Sequence, residues 1–354
     1  MIRSIIVVAL SAFSLGALPA ACQIPVAKDG DLQIAELGRC QLESGQTIEN
    51  CRLGYRTFGA LDATHSNAIL FLSWYNGTGD DLKQFFGPDR LVDTTKYFVV
   101  AMDALADGVS SSPSNSSTQH GSHFPAVTIR DMVNAEYRVA TEVIHLDHVL
   151  AVMGVSMGGM QTFEWTVDYP GFMDKAVPIV GTPQQTAYDM LNWDALRRAI
   201  ESDPAYNHGD YTQEPPLALA NELVAMTLST PAFIARTQDR ADFADWLPLQ
   251  IQPVPTEDAN NRMWQLRAMI GLDVTRGKGD LAAAAAQTKA HFLIVAATQD
   301  HLVNPGPAEE WAGFVHAQTL IYPGDCGHRL LLASCAGPQI TAAVRAFLAG
   351  TQSN

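Results

Sequence analysis

The stretch GVSMGGMQ, residues 154–161, sets Ser156 between two glycines directly after an apolar run. A serine hydroxyl is a weak nucleophile until a neighbouring base takes its proton, so the chemistry to look for is acyl transfer through an acyl-serine. HVLAVMGVSMGGM reads as a strand, a sharp turn and a helix, with Gly-x-Ser-x-Gly at the turn. Such an elbow holds its serine in a strained conformation with Oγ above the sheet. Gly154 and Gly158 are needed because side chains there would clash across the turn. The next amide, Met157 N–H, falls at the helix N-terminus, where it can donate to a developing oxyanion.

An elbow serine needs a base and an orienting acid, with the acid first along the chain. Asp300 follows the strand pattern HFLIVAAT, and His328 follows the last strand pattern in PGDCGHRLLL. His328 would take the Ser156 proton, and Asp300 would hold the imidazole in the required tautomer. The blander readings are a solvated loop acid and a surface histidine. His120 and His123 (QHGSHF) and His145 and His148 (HLDH) have metal-compatible spacing without clustered carboxylates or cysteines. No metal and no cofactor is therefore expected. Trp165 and Trp193 read as packing residues. Asn76 (NGT) and Asn115 (NSS) match the glycosylation acceptor pattern, which matters only in a eukaryotic source.

These residues need a scaffold. NAILFLSW, YFVVAMD, HVLAVMGV, KAVPIVG, AHFLIVAAT and AQTLIYP are strand patterns, each nearly continuous in apolar residues. Continuous rather than alternating runs suit a parallel sheet covered on both faces. IRDMVNAEYRVATEVI and GMQTFEWTVDY have helical spacing, the second ending at Pro170-Gly171. The fold class is α/β, a mostly parallel sheet with helices on both faces and an antiparallel hairpin at its N-terminal edge. Residues 183–286 carry helical patterns (MLNWDALRRAI, LALANELVAMTL, ANNRMWQLRAMI) and no convincing strand. They read as a helical cap inserted between core segments 22–182 and 287–354.

The chain has 354 residues, 47% hydrophobic and 17% charged, with a formal net charge of −15. That composition fits a globular enzyme and argues against binding to nucleic acid or an anionic membrane surface. The expected partner is a small ester, amide or acyl substrate. MIRSIIVVALSAFSLGALPAACQ has one early cation, a short apolar stretch and then small residues, the pattern of a signal peptide over 1–21. The stretch is too short to span a bilayer, so no transmembrane segment is expected there. The expected location is periplasmic or extracellular; a lipid anchor on Cys22 is the alternative, against which Pro19 counts.

Setting Cys22 aside leaves Cys40, Cys51, Cys326 and Cys335, an even set suited to an oxidising compartment. Cys40 and Cys51 flank QLESGQTIEN, a hairpin pattern with Gly45-Gln46 as a two-residue turn. That turn would set the two cysteines directly opposite, roughly 5.5 Å apart at Cα. A Cys326–Cys335 bridge would staple the loop carrying His328. Bridges closing such short loops contribute on the order of 2–3 kcal/mol each. The alternative is four buried free thiols.

From about residue 40 onward the chain resembles the homoserine O-acetyltransferase family of the α/β-hydrolase superfamily. The resemblance rests on GPDRLVDTTKYFVVAMDAL, FPAVTIRDMV, GVSMGGMQTFEWTVDYP, DHLVNPGPAEEWA and CGHRLLL. It implies the α/β-hydrolase fold and the same Ser156, Asp300 and His328. It also matches SWYNG to the family's first oxyanion loop, which makes Tyr75 N–H the partner of Met157 N–H. Relatives often dimerise through the cap, so a homodimer is a further expectation.

Two departures bear on the substrate. The family's cap arginine, which grips an amino acid's carboxylate, corresponds to Asn221. The aspartate that follows the family's catalytic histidine is replaced by Arg329, and a buried charge left unmatched in this way is costly. The cap-entry motif also reads TPQQT, without the family's arginine and histidine. Acetyl-CoA is a cytosolic cosubstrate that an exported enzyme would rarely meet. The expected activity is therefore exported ester or amide hydrolysis. O-acyl transfer to another alcohol is the alternative, and an inactive binding protein a third reading. Arg329 would favour an acyl or leaving group bearing negative charge, unless a surface salt bridge engages it.

Overall fold

Each apolar run becomes a strand of one eight-stranded sheet. The strands are β1 (Gln33–Gln41), β2 (Thr47–Phe58), β3 (Ala68–Leu72), β4 (Phe98–Met102), β5 (Val149–Val155), β6 (Met173–Ile179), β7 (His291–Ala297) and β8 (Gln318–Tyr322). Their order is β1-β2-β4-β3-β5-β6-β7-β8, with β1 and β2 antiparallel at one edge and β4, β3, β5, β6, β7 and β8 mutually parallel. The computed structural model describes residues 28–253 and 257–350. The expected signal peptide and Cys22 lie outside the described residues.

All five residues of β3 are buried, and they alternate between two cores. Leu70 and Leu72 join the core on one face; Ile69 and Phe71 join the other. A strand covered on both faces has no solvent side, so its sequence shows no polar alternation. The covering helices are α1 (Gly79–Leu82), α2 (Ile129–Arg138), α3 (Met157–Asp168), α4 (Ala187–Ser202), α5 (Ala218–Leu228), α6 (Pro231–Thr237), α7 (Phe243–Ile251), α8 (Ala259–Ile270), α9 (Leu281–Ala285), α10 (Gly306–Phe314) and α11 (Gly337–Leu348). Helix α2 starts at a capping box in which Thr128 and Asp131 satisfy each other's backbone amides. Trp165 and Trp193 are buried; their indoles donate to Glu136 and Gln185.

Between β6 and β7 the chain runs through α4–α9, and among the described residues there it forms no strand, only one isolated bridge, Gln184 to Asp273. Helices α6, α7 and α9 had no counterpart in the sequence reading. The reason is visible in α7: it contains Pro248 and buries none of its residues, so no core-facing stripe forms.

The hairpin differs from the expected one. Leu42 N–H donates to Gln46 O and Gly45 N–H to Leu42 O, each at 2.9 Å, with Gly45 at φ 80°. This is a three-residue loop, Glu43 to Gly45, closed by a left-handed glycine. Cys40 therefore faces Ile48 and Cys51 faces Gly38, not each other. Irregularities at Gly38 and at Asn50 (φ 52°) shear the ladder enough to bring the cysteine Cα atoms to 5.6 Å, and the two form a disulfide. Cys326 and Cys335 form the second, at 6.1 Å.

Candidate active site

Ser156 stands between β5 and α3 at φ 58°, ψ −118°, a conformation that costs a non-glycine residue free energy. Two close approaches enforce it. A Cβ at Gly154 would lie 2.5 Å from the Gly158 carbonyl, and one at Gly158 would strike the Leu72 carbonyl. The Ser156 amide donates to Ile179 O at 2.9 Å, fixing the elbow to β6.

The Ser156 hydroxyl donates to His328 Nε2 at 2.9 Å, and His328 Nδ1–H donates to Asp300 Oδ2 at 2.7 Å. The carboxylate can only accept, which assigns the ring proton to Nδ1 and leaves Nε2 as the base. The second Asp300 oxygen accepts from the amides of Leu302 and Val303, both at 2.9 Å. The His328 and Asp300 side chains are 7% and 2% exposed, so the pair works at low dielectric. Residues from three distant segments thus meet in one hydrogen-bonded line.

The two oxyanion candidates are the amides of Met157, which follows the serine, and Tyr75. Met157 is the first residue of α3, where an amide has no intrahelical acceptor. The Tyr75 amide donates to no described residue. Its neighbours are anchored: Gly77 N–H donates to Trp74 O at 2.9 Å, and Asn76 N–H donates to Gln265 Oε1 at 2.8 Å. Gly79 N–H donates to Asp103, which is buried against Arg56. Burial raises the Asp103 carboxyl, and burial plus Asp103's charge pushes Asp107 well above the usual range.

Helices α4, α6 and α8 each hold one loop of the site. Asp189 at the start of α4 accepts from Asn304 N–H at 2.8 Å, next to the Asp300 loop. From α6, Arg236 and its cap Thr230 engage Asp325, three residues before His328. From α8, Gln265 holds Asn76. Sequence reasoning missed all four residues because their partners are far along the chain and no local motif marks them.

The two substrate-binding candidates are Asn221 and Arg329. Asn221 donates to Ile251 O and Gln252 O and accepts from Arg262 Nη1 at 2.6 Å, so its amide joins α5 to α7 and α8. It makes no hydrogen bond to Ser156, His328 or Asp300. Arg329 is exposed, and its side chain has no ion-pair partner among the described residues. A surface cavity of about 420 Å³ is lined by His120, His123, Asp210, Tyr211 and Asp258, and by none of the three aligned residues. His148 pairs with Asp174 at 3.0 Å.

Residues 73–333, which include the whole Ser156–His328–Asp300 line, match the alpha/beta hydrolase fold family. The chain belongs to that family. This α/β-hydrolase is 34% identical over 291 residues to a probable esterase of Corynebacterium glutamicum, covering 77% of this chain and 81% of that protein. It is 33% identical over 310 residues to a homoserine O-acetyltransferase of Methanococcoides burtonii, covering 76% of this chain but 62% of that protein. Among solved structures it is similar to an acetylester hydrolase from Corynebacterium glutamicum, with a TM-score of 0.83, 29% identity and coverage of 90% and 96% of the two chains. A homoserine O-acetyltransferase from Bacillus anthracis shares the fold at a TM-score of 0.82 and 22% identity, covering 93% and 100%. The α/β-hydrolase is therefore an enzyme-family member of the homoserine O-acetyltransferase-like branch, with both esterases and acyltransferases among its relatives.

Proposed function

We propose that this α/β-hydrolase is an exported serine esterase that cleaves short acyl esters through an acyl-serine. The observation that carries the reading is the line Ser156 Oγ, His328 Nε2, His328 Nδ1, Asp300 Oδ2, with links of 2.9 and 2.7 Å. His328 takes the hydroxyl proton as Ser156 Oγ bonds to the ester carbonyl carbon. Met157 and Tyr75 N–H groups receive the carbonyl oxygen as it becomes an oxyanion, each donor contributing roughly 3 kcal/mol in such sites. The protonated imidazole then gives its proton to the departing alkoxide. Water deprotonated by His328 attacks the acyl-serine, and the acid leaves as Ser156 regains its proton. Asp300 stays ionised and stabilises the imidazolium.

Short acyl esters are favoured by the likeness to a probable esterase and an acetylester hydrolase. Two disulfides support the exported location, since such bridges persist in oxidising compartments. The residues replacing the branch's amino-acid-gripping charges, Asn221 and Arg329, do not present an arginine and an aspartate to a zwitterion. The likeness to homoserine O-acetyltransferases keeps acyl transfer to an alcohol as a second reading.

The test is turnover of ethyl acetate and 4-nitrophenyl acetate by the purified protein and by Ser156→Ala, alongside acetyl-CoA with homoserine or serine. Ester hydrolysis lost in Ser156→Ala supports the esterase. Release of CoA that requires the amino acid overturns it in favour of transfer. Absence of both, together with no labelling of Ser156 by a fluorophosphonate, overturns both.

A further inference from the structure

We infer that Gln265 is a positioning residue for the oxyanion loop: its buried carboxamide anchors the Asn76 amide, one residue past Tyr75, and so keeps the turn that carries the Tyr75 N–H in place. The inference rests on the esterase reading. Gln265 is fully buried on α8, a helix of the segment between β6 and β7. Its Oε1 accepts from Asn76 N–H at 2.8 Å, and its Nε2 donates to Leu105 O at 3.3 Å beyond the end of β4. One side chain therefore ties α8 to two loops of the sheet's carboxyl edge.

The tether matters because of what lies on either side of Tyr75. The Trp74–Tyr75 peptide is held through its carbonyl, which accepts from Gly77 N–H at 2.9 Å. The Tyr75–Asn76 peptide is held through its N–H, by Gln265 alone among the described residues. Asn76 has φ 60°, a left-handed conformation that a residue bearing Cβ adopts at a cost. No backbone carbonyl among the described residues accepts from this amide, which lies between the end of β3 at Leu72 and the start of α1 at Gly79. Without Oε1 an inward-facing amide would be left unsatisfied, and the plane would turn to find another partner. Turning it alters ψ at Tyr75 and φ at Asn76, which displaces Gly77 and loosens its bond to Trp74 O, the carbonyl of the peptide that carries the Tyr75 N–H.

The experiment compares wild type, Gln265→Met and Gln265→Glu as full chains. Methionine fills the volume without hydrogen bonds. Removing an oxyanion donor outright lowers kcat about 10²- to 10³-fold in comparable sites. Misdirecting one by Gln265→Met is expected to lower kcat by roughly 10- to 100-fold with KM nearly unchanged, and to weaken an arylboronic acid, a mimic of the tetrahedral adduct, by the same factor. Glutamic acid keeps both bonds only while protonated, and burial raises its pKa. Ionised, it still accepts from Asn76 N–H and loses only the bond to Leu105 O, so the ratio of Gln265→Glu to wild-type kcat should fall as pH rises, and by less than the loss in Gln265→Met. The ratio divides out ionisations common to the two proteins.

Hydrogen exchange of wild type gives a reading that needs no variant to fold: the Asn76 amide should be strongly protected. Free exchange there overturns the inference, as does a folded Gln265→Met with kcat within twofold of wild type or a loss confined to KM. If wild type shows no Ser156-dependent turnover, the esterase reading falls and the catalytic role of Gln265 with it, while Asn76 exchange still reports the tether.

Discussion

The Arg236 guanidinium meets the Asp325 carboxylate at two points, Nε to Oδ2 and Nη2 to Oδ1, each at 2.9 Å. Asp325 precedes His328 by three residues, and its carbonyl accepts from Thr230 Oγ1 at 2.5 Å. Helix α6 thus grips the histidine loop from outside, and the paired guanidinium holds the Asp325 carboxyl below its usual range. Asp189 and Gln265 do the same for the acid and oxyanion loops. The segment between β6 and β7 is therefore hydrogen-bonded to the Asp300, His328 and Tyr75 loops alike.

Arg236→Ala removes a solvent-exposed pair, which contributes little to global stability. Its effect falls on the placement of His328. Ester kcat should drop roughly two- to tenfold while the melting temperature stays nearly constant, because small misplacements of reacting groups are costly. Salt screens exposed charges, so 1 M NaCl should lower wild-type kcat toward the variant's value and leave the variant unaffected. Equal activity of the two proteins at low salt would rule the grip out.

Asp300→Asn tests the tautomer. The Leu302 and Val303 amides need an acceptor, so the asparagine oxygen turns to them and its NH₂ faces His328. Nδ1 must then accept, the ring proton moves to Nε2, and Ser156 loses its base. A fall in kcat on the order of 10³- to 10⁴-fold is expected with folding intact. A loss under tenfold, read by steady-state kinetics beside a circular dichroism melt, would mean that Asp300 does not set the tautomer.

The core sheet was legible because burial on two faces writes long apolar runs, as in β3, β5 and β7. Ser156 was legible because its elbow requires glycines two residues either side. Asp300 and His328 followed from chain order and strand ends. The hairpin register was missed because Gly45 closes a three-residue loop as readily as a two-residue one. Gln265 left no trace: its role exists only through Asn76, 189 residues away, and glutamine in a helix implies nothing by itself. Asn221 was placed by resemblance alone; its amide bonds to Ile251, Gln252 and Arg262.

The Cys326–Cys335 bridge closes a loop with a sequence separation of 9 that contains His328. Chain-entropy arithmetic gives about 2.7 kcal/mol for a loop of this size. The double variant Cys326→Ser/Cys335→Ser should therefore melt roughly 5 °C lower, given the scaling for a domain of this size. Its kcat should also fall, since the loop that presents the imidazole loses its closure. Alkylation of unreduced protein should find none of Cys40, Cys51, Cys326 and Cys335 free. Four modified thiols would exclude both bridges, and unchanged melting would exclude the stapling role.

Glu136 is fully buried behind α3, where its carboxyl accepts from the Trp165 indole at 2.7 Å. Burial pushes its pKa up from 4.5 to about 8. The native state therefore holds a proton that the unfolded chain releases between these values. Stability is lost as pH rises from about 4.5 through 8, the direction opposite to that of a salt-bridged carboxylate. Glu136→Gln keeps the shape and the acceptor without titrating, and the other buried acids cancel in the comparison. Near pH 5 the two proteins should unfold at nearly the same urea concentration. At pH 8 the glutamine variant should be more stable by an amount on the order of 4 kcal/mol, since each pKa unit is worth about 1.4 kcal/mol. Parallel stability curves for the two proteins across this range would show that Glu136 is ionised in the folded state.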